Sequence, residues 1–343
     1  MNLLDFGIQA AEMGLVPDAL LRLAIRRLCR RRLIEAGDGD DAARRAFLQS
    51  LHSGPIALVP EAANRQHYEL PPAFFAAVLG SRRKYSCCYF PHYGATLDEA
   101  EEAALEITCR RAELADGQSV LELGCGWGSL TLWMAERFPN SRITAVSNSA
   151  RQRESILSKA TALGLENVKV ITADMNDFSP GAQKFDRVVS VEMLEHMRNY
   201  DLLLKRLVSW LRPAGKLFVH IFCHRTLCYP FETSGAANWM GRHFFTGGLM
   251  PSADLLKRFD CGLGMSRVWT WSGTHYRRTA EAWLANLDQR PELVLPILAA
   301  TYGQREANRW FHRWRVFFLA VAELFGFAGG EEWFVSHYLL QQG

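Results

Sequence analysis

The chain has 343 residues, 49% hydrophobic and 22% charged, enough for one large buried core or two modest ones. A net charge of +3 gives no electrostatic case for nucleic acid, and no apolar run reaches the ~20 residues of a bilayer span. Eight cysteines in no disulfide-like spacing fit reduced, cytoplasmic thiols, the adjacent Cys87 and Cys88 lack metal-ligand spacing, and no signal-peptide pattern opens the chain.

Residues 1–65 read as a helical cap. From Leu15 to Leu33, leucine and isoleucine alternate with Arg22, Arg26, Arg27 and Arg30 to Arg32, with no acid between them. Two readings stay open: a helix packed on the core with solvated arginine stems, or an interfacial helix on anionic lipid. Glu35 to Asp41 is a turn, and Ala42 to Ser50 a further helix. Two aromatic-rich segments follow, His67 to Pro72 and Lys84 to Phe90; packing alone would explain them. Asp98 to Glu113 is patterned as a helix.

The stretch from Ser119 to Leu130 organises the remainder of the chain. Val120, Leu121 and Leu123 read as a buried strand, Gly124, Gly126 and Gly128 as a tight turn, and Leu130 to Phe138 as a helix. Strand, glycine turn and helix open a nucleotide-binding unit. Glycines let the backbone approach a ligand, where the helix N-terminus presents free N–H groups. Further strands are Arg142 to Ser147, Val168 to Thr172, Phe185 to Ser190 and Lys216 to Phe222. After the second stand the polar candidates Asn148, Ser149 and Gln152. After the third stand Asp174, which could accept an adenine amino group, and Met175, placed beside the ring. Residues 223–263 form a connection long enough to be functional, read as a substrate lid. Residues 264–272 and 332–340 are the last strands, and His275 to Leu287 and Arg305 to Phe325 are helices.

The string Glu122-Leu-Gly-Cys-Gly-Trp-Gly-Ser-Leu130 resembles the class I S-adenosylmethionine (SAM)-dependent methyltransferases and, within them, the cyclopropane fatty acid synthase superfamily. Glu192-Met-Leu-Glu-His-Met-Arg-Asn-Tyr200 is most similar to the coclaurine N-methyltransferase-like enzymes. The resemblance runs from about Gln66 to the C-terminus. It implies an α/β fold over residues 66–343: a Rossmann-like, seven-stranded, mostly parallel sheet with helices on both faces and its last strand antiparallel. It also implies SAM as cofactor, held by Glu122, Gly124, Cys125, Gly126, Asn148, Ser149, Gln152, Asp174 and Met175. Tyr85 and Ser86 lie near the SAM amino acid moiety by the same match, and Tyr68 covers the sulfonium region.

Glu192, Glu195 and His196 fall where the fourth strand ends, the ligand edge of an open α/β sheet. Glu192 and His196 share a face if that strand runs straight into a helix. By resemblance, Glu192 and His196 are the catalytic pair of an amine methyltransferase, with Glu195 beside them. Acids at a helix N-terminus serving the dipole are the structural alternative. In the cyclopropane synthases a bicarbonate acts as base, and its ligands match Cys87, Glu195, His220 and Tyr276 here, with a backbone group near Phe222. His220 as a strand histidine satisfied by a neighbour stands level with that anion-site reading. The aromatic residues Tyr89, Phe90, Trp239, Phe244, Phe245, Trp269, Trp271 and Tyr276 suit an aromatic amine or an acyl chain. Expected partners are therefore a small amine or a lipid, with a peripheral membrane contact through the arginine-rich helix left open. The competing class is a SAM-binding protein without turnover, against which the Glu192, Glu195 and His196 cluster argues.

Overall fold

The computed structural model describes residues 3–37, 41–59 and 70–342; Tyr68 lies outside them. Helices α1 (Leu3–Glu12), α2 (Asp18–Gly37), α3 (Asp41–Ser50), α4 (Pro72–Val78) and α5 (Leu97–Arg111) precede the sheet. The sheet then begins with β1 (Ser119–Leu123), α6 (Ser129–Arg137), β2 (Arg142–Ser147), α7 (Ala150–Ala162), β3 (Val168–Thr172) and β4 (Phe185–Val191). Next come α8 (Tyr200–Ser209), β5 (Leu211–His224), and a long connection holding the two-stranded pair β6 (Tyr229–Pro230) and β7 (Leu249–Met250) around α9 (Trp239–His243). The chain closes with β8 (Gly264–Trp271), α10 (Gly273–Gln289), α11 (Pro291–Tyr302), α12 (Ala307–Gly326) and β9 (Trp333–Gln341).

The seven strands lie in the order β3-β2-β1-β4-β5-β9-β8. β1 pairs parallel to both β2 and β4, Val120 facing Ile143 on one side and Arg187 on the other. β9 is antiparallel to β5 and β8, as the resemblance implied. All five residues of β1 are buried, as expected of a strand covered on both faces. Strand order reverses between β1 and β4, so the ligand crevice opens at their C-terminal ends.

α4 and α11 escaped the sequence reading because each begins at proline; Pro72 and Pro291 stand in the first turn, where the missing N–H costs nothing. Two arginines of the run in α2 find acids on other elements, and Arg31 pairs with Glu35 on α2 itself (2.6 Å). Arg22 binds Glu281 of α10 (2.8 Å) and Glu323 of α12 (2.9 Å), and Arg26 also binds Glu323. Arg27 and Arg30 stay exposed. Among the described residues no helix is long and apolar enough to cross a membrane.

Candidate active site

The three glycines after β1 all have left-handed backbones, with φ of 77°, 52° and 83°, but they do different work. A Cβ on Gly128 would lie 2.6 Å from Ile156 of α7, so this glycine serves packing. A Cβ on Gly126 would meet nothing within 4 Å. It would project into a cleft of about 720 Å³ of non-atom space, counting its open mouth. Gly124, Gly126, Asn148, Gln152, Asp174 and Met175 line that cleft. The sequence reading missed Ala57, Val59, Thr246 and Gly247, which also line it. Ala57 is placed there by two hydrogen bonds with Asn176, each 3.0 Å. Gln152 accepts from the Ser147 hydroxyl (2.6 Å), and its Nε2 is buried with no partner among the described residues. An unpartnered donor on a residue lining the cleft at the β1–β2 edge fits a nucleoside ligand such as SAM.

Other candidates sit behind this lining. Glu122 is fully buried and accepts the Thr131 hydroxyl; burial pushes its carboxyl up to about 8. Cys125 is buried, and its N–H donates to the Val146 carbonyl. Ser149 caps α7 by accepting from the Gln152 N–H. Tyr85 lines the neighbouring pocket, and Ser86 accepts from Lys84 Nζ (2.5 Å).

β4 does not run into a helix. Glu192 takes a left-handed backbone (φ 48°), a short 3-10 turn covers Leu194–His196, and α8 begins only at Tyr200. The helical face expected for Glu192 and His196 is therefore absent, yet both side chains line one pocket. A non-glycine residue held at positive φ costs on the order of 1–3 kcal/mol and marks a position fixed by its surroundings.

Those surroundings converge on the Glu192 carboxylate. Its Oε1 accepts from the Cys87 N–H (2.9 Å) and lies 3.1 Å from His220 Nε2, and its Oε2 accepts from the Tyr276 hydroxyl (2.6 Å). Three of the four residues expected around an anion thus meet on a carboxylate of the chain itself, Cys87 through its backbone. Glu195 points elsewhere: its Oε1 accepts from the Phe222 N–H (2.8 Å), and its Oε2 is buried without a partner among the described residues. Burial, then the charge of Glu192, drives the Glu195 carboxyl well up from the ordinary carboxylate range. Burial raises Glu192 too, but the Lys84 charge and the Tyr276 and Cys87 hydrogen bonds oppose this. Negative charge is therefore better accommodated on Glu192, the oxygen pair with three donors, than on Glu195.

Lys84, His337 and Arg111 went unseen in the sequence. Lys84 is buried, with Nζ donating to Ser86 and to the Cys87 carbonyl (2.6 Å). His337 of β9 stands opposite His220 of β5, ring centroids 4.4 Å apart, and its Nδ1 lies 3.0 Å from Arg111 Nη1. Guanidinium only donates, so His337 accepts at Nδ1 and carries its proton on Nε2. His220 then presents its Nε2 proton to Glu192. The tautomers follow from the bonding pattern.

His196 stacks flat on Phe245 (5.6 Å between centroids, 4° between planes). It lines both the cofactor-sized cleft and the pocket containing Glu192. Burial lowers its imidazole to about 4, leaving it neutral at pH 7. Aromatic side chains form most of that pocket, among them Tyr85, Phe245, Tyr276, Trp283 and Phe325. Of the other aromatics expected at substrate, Phe244 packs flat on Phe317, Tyr89 stacks on His275, and Trp271 packs against His337.

Residues 59–325 match the family model described as mycolic acid cyclopropane synthetase. The chain is 40% identical to the (S)-coclaurine N-methyltransferase of Thalictrum flavum subsp. glaucum, over 98% of this chain and 95% of that protein. It is 37% identical to the enzyme of that name from Papaver somniferum, over 96% of each. The solved structure of a coclaurine N-methyltransferase bound to N-methylheliamine and SAH superposes with a TM-score of 0.92 at 38% identity, covering 97% of this chain and 98% of that one.

Proposed function

The chain belongs to the mycolic acid cyclopropane synthetase family and is a SAM-dependent methyltransferase, and we propose that it methylates the nitrogen of a small, partly hydrophobic amine. One observation carries this reading: His196 forms part of both the cleft and the aromatic pocket, so a neutral imidazole stands where a methyl donor and an amine would meet.

Bound in the cleft, SAM supplies the activated methyl: the amine lone pair forms the N–C bond as the C–S electrons return to sulfur. Gly126 gives the cofactor close approach, with Asn148, Gln152 and Asp174 as its polar partners. An alkylammonium cannot attack, so the site must take its proton. His196, placed between the two sites, is the acceptor; burial opposes its charged form, and the Glu192 charge offsets part of this. The Glu192 carboxylate, fixed by Tyr276, His220 and Cys87, stabilises the imidazolium that results. The aromatic walls accept a cationic product.

The alternative is methyl or methylene transfer to a lipid alkene with bicarbonate as base. It is supported by the presence of His220 and Tyr276 and opposed by Glu192, whose carboxylate already engages both. Steady-state rates across pH, with and without bicarbonate, separate the two. For amine methylation, His196→Ala loses about 10²–10⁴-fold, high pH partly restores it, and bicarbonate has no effect. A bicarbonate-dependent rate that pH does not rescue would overturn the amine reading.

Two features support the finer setting. Eight free cysteines support a reduced, cytoplasmic location. Exposed Leu20 and Leu23 beside Arg27 and Arg30 on α2 support a peripheral contact with anionic lipid.

A further inference from the structure

A second apolar cavity adjoins the reaction pocket. It holds about 1630 Å³ of non-atom space including its mouth, against about 650 Å³ for the pocket around Glu192. Leu21 and Ile25 of α2 form one wall, and Val316 and Ala320 of α12 another. Val316, Ala320 and Leu324 are spaced four apart, so they make one stripe down that helix. Phe231, Met240 and Leu324 line both cavities and form the partition between them.

The chemistry of this chamber is plain. Its lining is predominantly apolar, and two of its charged members have partners. Glu12 accepts from Trp239 Nε1 (2.8 Å) and Arg313 (3.0 Å), and the Arg32 guanidinium lies over the Tyr229 ring (4.8 Å). The wall from α2 lies outside the family match at 59–325, so the helical cap adds this space to the shared catalytic unit. Met240, an unbranched and adaptable side chain, stands in the partition where a substituent on the amine would have to pass. The small reaction pocket has room for the reacting amine, and the chamber beyond the partition has room for what the nitrogen carries.

We propose that the substrate is an amine bearing an extended alkyl substituent, which threads past Met240 into the chamber between α2 and α12. This rests on the N-methylation reading. It assigns the cap helices to substrate selection.

The test is kcat/KM for a series of N-methyl-n-alkylamines, from butyl to dodecyl and below their micelle concentrations, with saturating SAM. Wild type should gain about three- to fourfold per methylene until the chamber is filled. Ala320→Trp and Val316→Phe, which fill the chamber, should flatten the dodecyl-to-butyl ratio. SAH titration confirms that each variant is folded. A wild-type series that does not depend on length, or an unchanged ratio in both folded variants, overturns the chamber. No methyl transfer to any amine, with SAM binding intact, overturns the N-methylation reading instead.

Discussion

Replacing Gly126 by valine separates the ligand-facing glycine from its neighbours. At φ 52° a side chain brings Cβ too near the following carbonyl, a strain of roughly 1–2 kcal/mol. Nothing else opposes it, because the space around an added Cβ is open. Melting should therefore fall by only a few degrees in a chain of this size. The two methyls would, however, stand in the cleft. Forcing extra methyls into an occupied site costs about 1–3 kcal/mol, so titration calorimetry should show SAH affinity falling roughly 5- to 150-fold. Gly128→Ala is the counterpart. It has the same backbone strain and also a Cβ 2.6 Å from Ile156, an overpacking cost of about 1–3 kcal/mol more. Its loss should appear in stability first. Folded Gly126→Val with wild-type SAH affinity would refute the placement of the cofactor against this turn.

Glu122 holds its proton in the fold up to about 8 but releases it near 4.5 when unfolded, so its contribution is present below pH 4.5 and lost as pH rises to 8. Relative to Glu122→Gln, wild type should lose about 1.4 kcal/mol per pH unit, about 3 kcal/mol by pH 7; parallel urea-stability profiles would contradict this. Glu323→Gln removes the shared partner of Arg22 and Arg26, but Arg22 keeps Glu281 and Arg26 is half-exposed. The expected cost is about 1–2 kcal/mol rather than the full penalty of a broken buried pair, measured by thermal melts at low and high salt. If α2 touches anionic lipid, phosphatidylglycerol vesicles should float the protein at low salt, and Arg27→Gln with Arg30→Gln should abolish this. No flotation leaves α2 as a packed helix only.

The sheet was legible because its strands are short β-branched runs bounded by turn residues. Arg142 to Ser147 and Val168 to Thr172 match the observed bounds. The carboxylate cluster was legible as a composition but not as a geometry. Periodicity cannot show that Glu192 adopts a left-handed backbone, because that conformation is imposed by Cys87, His220 and Tyr276, which are remote in sequence. Lys84 was hidden for a related reason: a lone lysine in an aromatic loop reads as exposed until the fold buries it against Cys87. The acids that bind Arg22 and Arg26 lie about 260 and 300 positions away, beyond any local pattern.

The alignment of His337 with His220 depends on ladder parity. In β9, side chains alternate between the two faces of the sheet, and Ser336 pairs instead toward Cys223 (3.3 Å). One residue inserted or deleted ahead of β9 would exchange these faces. Ser336 or Tyr338 would then meet His220, and Arg111 would lose its imidazole. The packing of His337 on His220, behind Glu192, is therefore encoded by strand register. Length changes in the Gly329 to Glu331 turn should be far more damaging than substitutions there. A two-residue change would restore the face but not the partner, so only the native spacing keeps both.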